Sequence, residues 1–168
     1  HRDGHLHPSK VADGYFIAPY TVGDYLAGIG PANISSEAGA FKTCEQQVQA
    51  SVKQLVAIKG KKTVAEFHRE LGLLLWDKVG MARNETGLKT ALTHIPELRK
   101  AFWQNVLIPS DPNTLNKNLE FAGRVADYLE LAELMARDAL HRNESCGGHF
   151  REEYQTKDGE ALRNDEQF

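Results

Sequence analysis

Residues 115–142 carry apolar side chains at helical spacing over their whole length, and this stripe constrains the fold more than any other stretch. Leu115, Leu119, Ala122, Ala126, Leu129, Ala136 and Leu140 share one face, and Leu131, Leu134 and Met135 widen it. An apolar surface that broad predicts a helix with neighbours on two sides. The same period recurs upstream. Val11, Tyr15, Ala18, Val22 and Leu26 form one stripe, with Pro19 and Gly23 inside it. Pro19 predicts a kink or a junction of two short helices. The aromatic cluster Tyr15, Phe16, Tyr20 and Tyr25 is expected to be buried. After a break at Gly30-Pro31, Ser35 or Ser36 is placed to cap a helix over 37–59. Its stripe is Phe41, Cys44, Val48, Val52, Leu55 and Ile58, and Cys44 reads there as a small buried hydrophobe.

Thr63 and Glu66 form a capping box ahead of Val64, Phe67, Leu71, Leu74 and Leu75, with Trp76 extending the stripe and His68 beside it. Leu88, Leu92, Ile95, Leu98, Phe102 and Val106 predict a further helix, and Pro96 predicts a bend or restart within it. Pro109 and Asp111-Pro112-Asn113 mark a loop over 107–114. No segment alternates with period two, so strands are not expected. The fold class is all-α, an antiparallel helical bundle with short loops. The polar stretch 143–168 is expected to lie extended over another surface.

Composition removes several functional classes. Twenty Lys and Arg against 23 Asp and Glu leave a net charge of −3 in 168 residues, the size of about one domain. Enough Leu, Val, Ala and Phe are present to build a core, which argues against disorder. No apolar run approaches the roughly 18–20 residues needed to span a bilayer. A pI near 6.2 gives no electrostatic reason to bind nucleic acid. Cys44 and Cys146 are too sparse for a disulfide scaffold and read as reduced thiols of a cytoplasmic protein. Residues 1–10 lack a secretory h-region and read as a frayed leader or tag remnant. A metal site from His1, His5 and His7 would need a fourth ligand and a rigid frame.

The densest chemistry lies in residues 141–153, which hold His141, Arg142, Glu144, Ser145, Cys146, His149, Arg151, Glu152 and Glu153 around the pair Gly147-Gly148. Three readings follow from these residue types. His141, Cys146 and His149 offer nitrogen and sulfur ligands for a metal. Cys146 offers a thiol nucleophile, with His149 as its base. Alternatively, Arg142, Glu144 and Arg151 pair in a buried polar turn in which His149 donates to a carbonyl or carboxylate. The chain contains no dinucleotide-binding glycine motif, phosphate loop, hydrolase elbow or zincin helix.

Four segments carry a resemblance. Ala12-Asp13-Gly14-Tyr15-Phe16, Gly80-Met81-Ala82-Arg83-Asn84, the stretch from Gly123 to Leu131 and the stretch from Arg142 to Glu152 look like the C-terminal part of the flavoprotein subunit of succinate dehydrogenase and fumarate reductase. The order of the segments agrees over 12–168. The last segment resembles the family's Glu-Ser-Arg-Gly-x-His-x-Arg turn, with Cys146 in place of the more widespread Arg.

The resemblance implies residues 11–30 as the tail end of a flavin-binding domain and 31–168 as a helical C-terminal domain. It implies a quinone-linked oxidoreductase that interconverts succinate and fumarate. FAD would be held in the intact subunit and not by this part alone. The implied partners are the flavin-binding domain of the same subunit, an iron–sulfur subunit and, indirectly, a membrane anchor. The implied location is the inner face of a bacterial cytoplasmic membrane. The resemblance makes Arg2, in His1-Arg2-Asp3-Gly4, a candidate for a substrate-contacting Arg that the family carries in an Asn-Arg-Leu-Gly segment, although the Asn and Leu are replaced here. Arg142, Glu144, Ser145, His149 and Arg151 form a domain-interface turn that orients loops rather than performs chemistry. The rivals are a related flavoprotein, such as L-aspartate oxidase or adenylylsulfate reductase, and a standalone helical module with a metal-binding turn.

Overall fold

The computed structural model describes residues 16–29, 35–109 and 115–168. Arg2, the leader 1–10 and the centre of the 107–114 loop lie outside these residues. The chain divides between Gln46 and Gln47 into two compact units.

In the first unit, residues 16–28 are helical and widen to a π-helix over Thr21–Leu26. The chain is helical on both sides of Pro19, so no second helix starts there. The aromatic face expected inside is outside: Phe16, Tyr20 and Tyr25 are all exposed. Apolar groups surround this helix on every side, so one packed neighbour could not cover them all. Ser35 Oγ accepts from the Glu37 N–H at 3.1 Å, in the turn that leads into α1, Gly39–Ala57. Helix α1 runs across the boundary of the units: its stripe is exposed at Phe41 in the first, and exposed at Val48 and Val52 and buried at Leu55 in the second. Cys44 is likewise exposed, not buried as its place on the stripe suggested.

The second unit is built on α2, Val64–Lys78, α3, Glu85–Asn105, and α4, Lys117–His141. Each begins on a side-chain cap. Thr63 and Glu66 close the capping box, with Glu66 N–H on Thr63 Oγ1 at 3.2 Å and Thr63 N–H on Glu66 Oε2 at 2.7 Å. Asn84 accepts from the Gly87 N–H at 2.8 Å, and Asn116 accepts from the Asn118 and Leu119 N–H groups. Such caps satisfy donors that the first helical turn leaves open, each worth about 1 kcal/mol. Pro96 sits inside α3 without ending it.

The core is an asymmetric seam. Helix α3 offers Leu88, Ile95, Leu98 and Phe102, while α4 offers Ala122, Ala132, Ala136 and Ala139 around Val125 and Leu129. Small side chains on one helix let the large ones of the other sit close. Phe67 of α2 and Phe102 of α3 meet edge to face, with ring centres 5.3 Å apart. This seam shifts the buried face of α4 away from its bulkiest residues. Helix α4 has neighbours on two sides as expected, α3 along the seam and α2, whose His68 ring meets Phe121 and Tyr128. Leu131, Leu134 and Met135, and Leu115 just before the helix, nevertheless stay exposed.

Strands are present where none were expected. β1, Lys62–Thr63, pairs in parallel with β3, Val106–Leu107. β2, Ala82–Arg83, pairs in parallel with β4, Phe150–Arg151. Two residues are too few to show alternation, and each pairing joins chain ends brought together by the helices rather than by local sequence. The first pairing depends on Gly60. A Cβ there would stand 2.0 Å from both C and O of Asn105. The Lys61 N–H adds a 2.9 Å bond to Asn105 Oδ1. Gly60→Ala is therefore expected to cost about 1–3 kcal/mol, read as a lower urea midpoint. An unchanged midpoint would mean that the close approach is not maintained in solution.

Candidate functional site

The polar segment after α4 folds back over two helix ends. Cys146 and His149 exchange backbone hydrogen bonds of 2.8 and 3.1 Å. Gly147, at φ +59°, is the first of the two central residues, the arrangement of a II′ turn. Beyond it, Phe150 N–H donates to the Met81 carbonyl and Glu152 N–H to the Arg83 carbonyl. β4 is thereby fixed beside the entry to α3.

β4 and the two residues after it bring opposite charges to opposite helix ends. The Arg151 guanidinium is 1% exposed and donates to the Ala139 and Leu140 carbonyls at 2.9 and 3.1 Å. These carbonyls are among the last four of α4, which have no partner within the helix and carry its negative dipole end. Glu153 accepts from the Glu85 N–H at the positive end of α3, and Glu152 accepts from Asn84 Nδ2 at 2.6 Å. Arg151 Nε also donates to Glu153 at 3.1 Å, so the two helix ends share one ion pair.

Ser145 and Arg151 are tied by a reciprocal pair: Ser145 Oγ accepts from the Arg151 N–H at 2.8 Å and donates to the Arg151 carbonyl at 3.0 Å. Glu144 is 1% exposed, accepting from Arg142 Nε at 2.7 Å and from the Asn164 N–H at 2.9 Å. His149 Nε2 lies 3.0 Å from the Arg142 carbonyl. A carbonyl cannot donate, so Nε2 carries the proton. All five residues expected in the polar turn are brought together. Their hydrogen-bond partners lie within this chain. The bundle and residues 162–164 supply the packing surface for Glu144 and Ser145.

Sequence reasoning missed Arg83 and Asn164 as members of this cluster, and counted Glu153 in it without assigning it a partner. Only the register of β2 on β4 brings Arg83 here, and that register has no sequence signal. Arg83 Nη2 donates to the Gly148 carbonyl at 3.1 Å, while its Nε is buried without a hydrogen bond. Among the described residues, no three His, Cys, Asp or Glu side chains are arranged to hold a metal ion. His149 is turned onto the Arg142 carbonyl and makes no hydrogen bond to Cys146 Sγ, so the pair does not form a thiol–imidazole dyad here.

The carboxylates respond to this setting. Burial pushes Glu144 up, but the Asn164 N–H and Arg142 outweigh it and hold the carboxyl below its ordinary range. Burial also raises Glu153, and the Glu85 N–H and Arg151 outweigh it in turn. A carboxyl with a lowered folded pKa binds fewer protons folded than unfolded in that window, so stability rises with pH there. The contribution is complete above about pH 4.3, the unfolded value, and is lost as pH falls through the folded values. The urea midpoint is expected to drop in that acidic range, and Glu144→Gln is expected to flatten part of the slope. An unaltered slope in that variant would remove Glu144 from the account.

With the geometry established, comparison with known proteins is decisive. The family model described as fumarate reductase flavoprotein C-term matches residues 68–168. The chain belongs to this family. An uncharacterized FAD-dependent oxidoreductase of Methanocaldococcus jannaschii is 31% identical over 116 residues, covering 66% of this chain and 19% of that protein. The fumarate reductase flavoprotein subunit of Helicobacter pylori is 30% identical over 149 residues, covering 88% of this chain and 21% of the relative. Among solved structures, an E. coli quinol fumarate reductase matches 84% of this chain and 23% of its own with a TM-score of 0.68 at 27% identity. The chain thus spans about a fifth of the curated relatives named here.

The described residues do not fit an FAD site of their own. The pyrophosphate of such a cofactor is held by a glycine-rich turn between a strand and a helix at the edge of a parallel sheet. The strands here are two residues long. The glycine pair Gly147-Gly148 leads into β4, not into a helix. Among the described residues, no helix is long and apolar enough to cross a membrane.

Proposed function

We propose that the chain is the C-terminal helical region of a flavoprotein subunit that interconverts fumarate and succinate. The family match over 68–168, with the overlay on quinol fumarate reductase, carries this reading. On it, FAD belongs to the intact subunit and is held outside the described residues. Residues 11–30 end the flavin-binding domain, and 31–168 form the helical domain. The iron–sulfur subunit receives or supplies electrons, and the complex sits on the inner face of the membrane through its anchor. Arg2 is the chain's candidate contact to the dicarboxylate. Arg151, Glu144, Ser145 and His149 hold the turn from within. Arg142 and the exposed tip Gly147-Gly148 face the flavin domain.

The test uses the complete polypeptide that encloses this sequence and, separately, the 168-residue chain. The complete polypeptide is expected to bind flavin and to oxidise a reduced viologen dye when fumarate is added. The chain alone is expected to do neither. Stoichiometric flavin on the chain alone, or a flavin-loaded polypeptide inert to both fumarate and succinate, would overturn the proposal.

A further inference from the structure

We propose that the outer face of α4 joins two copies of this chain, as an antiparallel helix pair with Leu131 on the two-fold axis. The inference rests on the face itself and not on the flavoprotein reading, and its readout is mass rather than flavin.

Tyr128, Leu134 and Met135 stand within about 60° of Leu131 around the helix, at about 100° per residue. Tyr128 is 39% exposed, Leu131 52%, Leu134 63% and Met135 48%. The alanine seam points the other way. Helix α2 reaches only one edge of this stripe, where the His68 ring meets Tyr128. At the other edge Arg99 of α3 holds Glu130 and Glu133. The four apolar side chains between these edges form one contiguous patch, which in a folded protein marks a contact surface.

The charges at the two ends of the stripe select its occupant. Arg124 stands at the start, exposed and sharing its guanidinium with Glu120 only. Asp138 stands at the end, equally exposed. Among the described residues its carboxylate makes no hydrogen bond or ion pair and acts on Arg83 only through space. Arg124 and Asp138 are equally far from Leu131 in sequence, on opposite sides. A two-fold contact requires a patch that fits itself when reversed. With Leu131 on its twin, Arg124 meets Asp138 of the other copy at both ends, and Tyr128 meets Leu134. Other registers fail on charge. Leu131 against Leu134 sets Asp127 on Asp138, and Leu131 against Met135 sets Arg124 on Arg142. A parallel pair sets each charge on its like, whereas an antiparallel one also opposes the helix dipoles.

The test is sedimentation equilibrium over a concentration series, on the 168-residue chain and on the complete polypeptide that encloses it. The chain is expected to approach twice its 18.7 kDa, and the polypeptide likewise twice its own mass. Leu131→Glu should raise the dissociation constant more than about a hundredfold, since two buried leucines are lost at once. Arg124→Glu and Asp138→Arg should each raise it about tenfold, and the double variant should restore it. Circular dichroism confirms that each variant folds. If Asp138→Arg does not, Arg124→Lys decides: it should pair as the unsubstituted chain does, and a loss equal to that of Arg124→Glu overturns the proposal. A monomer at every concentration overturns it too, because the stripe is then covered from within the same polypeptide or left bare. So does a dimer that survives Leu131→Glu, or a double variant no tighter than its parents.

Discussion

Arg151→Met is expected to destabilise the second unit by about 3–5 kcal/mol, the scale of breaking a buried ion pair from one side. Methionine keeps most of the side-chain length, so the loss isolates the guanidinium. Three attachments go at once: the Ala139 carbonyl, the Leu140 carbonyl and Glu153. Each carbonyl abandoned without a partner costs about 1–3 kcal/mol. Against a total of about 5–15 kcal/mol for an ordinary domain, the urea midpoint should fall by a large fraction. Arg151→Lys should recover only part, because an ammonium cannot span the same fork. A change below about 1 kcal/mol in the Met variant would show that water replaces the guanidinium at the end of α4.

Phe102→Ala is expected to cost a similar amount, about 3–5 kcal/mol, for a different reason. Its ring is fully buried and touches Phe67 edge to face, with Trp103 beside it at 5.6 Å between ring centres. Removing it opens a void at the junction of α2 and α3, where the close-packed surroundings relax only in part. A double-mutant cycle with Phe67→Leu should return about 0.5–1.5 kcal/mol of coupling for the ring pair. Additivity of the two changes would mean that each ring packs against the helices independently. Urea denaturation of the four proteins supplies both numbers.

These two sites differ in how visible they were in the sequence. Phe67 and Phe102 sit on helical stripes, so their burial follows from spacing alone. The Thr63–Glu66 capping box was equally readable, because its signal is local. The face of α4 was harder. Alanines form its buried seam, and alanine carries little hydrophobic signal beside Leu131, Leu134 and Met135, which point to water. Pro96 does not restart the helix, because one missing N–H does not outweigh the packing of the helix on both sides of it. The polar turn was legible as a set of residue types, but not as a circuit. Arg83 lies 65 positions from its partner Gly148. Such pairings follow from where the helices end in space, and no local pattern encodes that.

A ribosome makes this chain from its amino end, so α3 and α4 emerge before the residues that seal them. Until Arg151 and Glu153 leave the exit tunnel, the last carbonyls of α4 and the first amides of α3 have only water as partners. The bonds that close the second unit join residues up to 68 apart and come from its last-made segment. Docking of that segment is therefore a late event in biogenesis, after the hydrophobic seam has already collapsed. A chain ended shortly before residue 151 and released from the ribosome would be collapsed yet unlocked, and open to proteases at both helix ends.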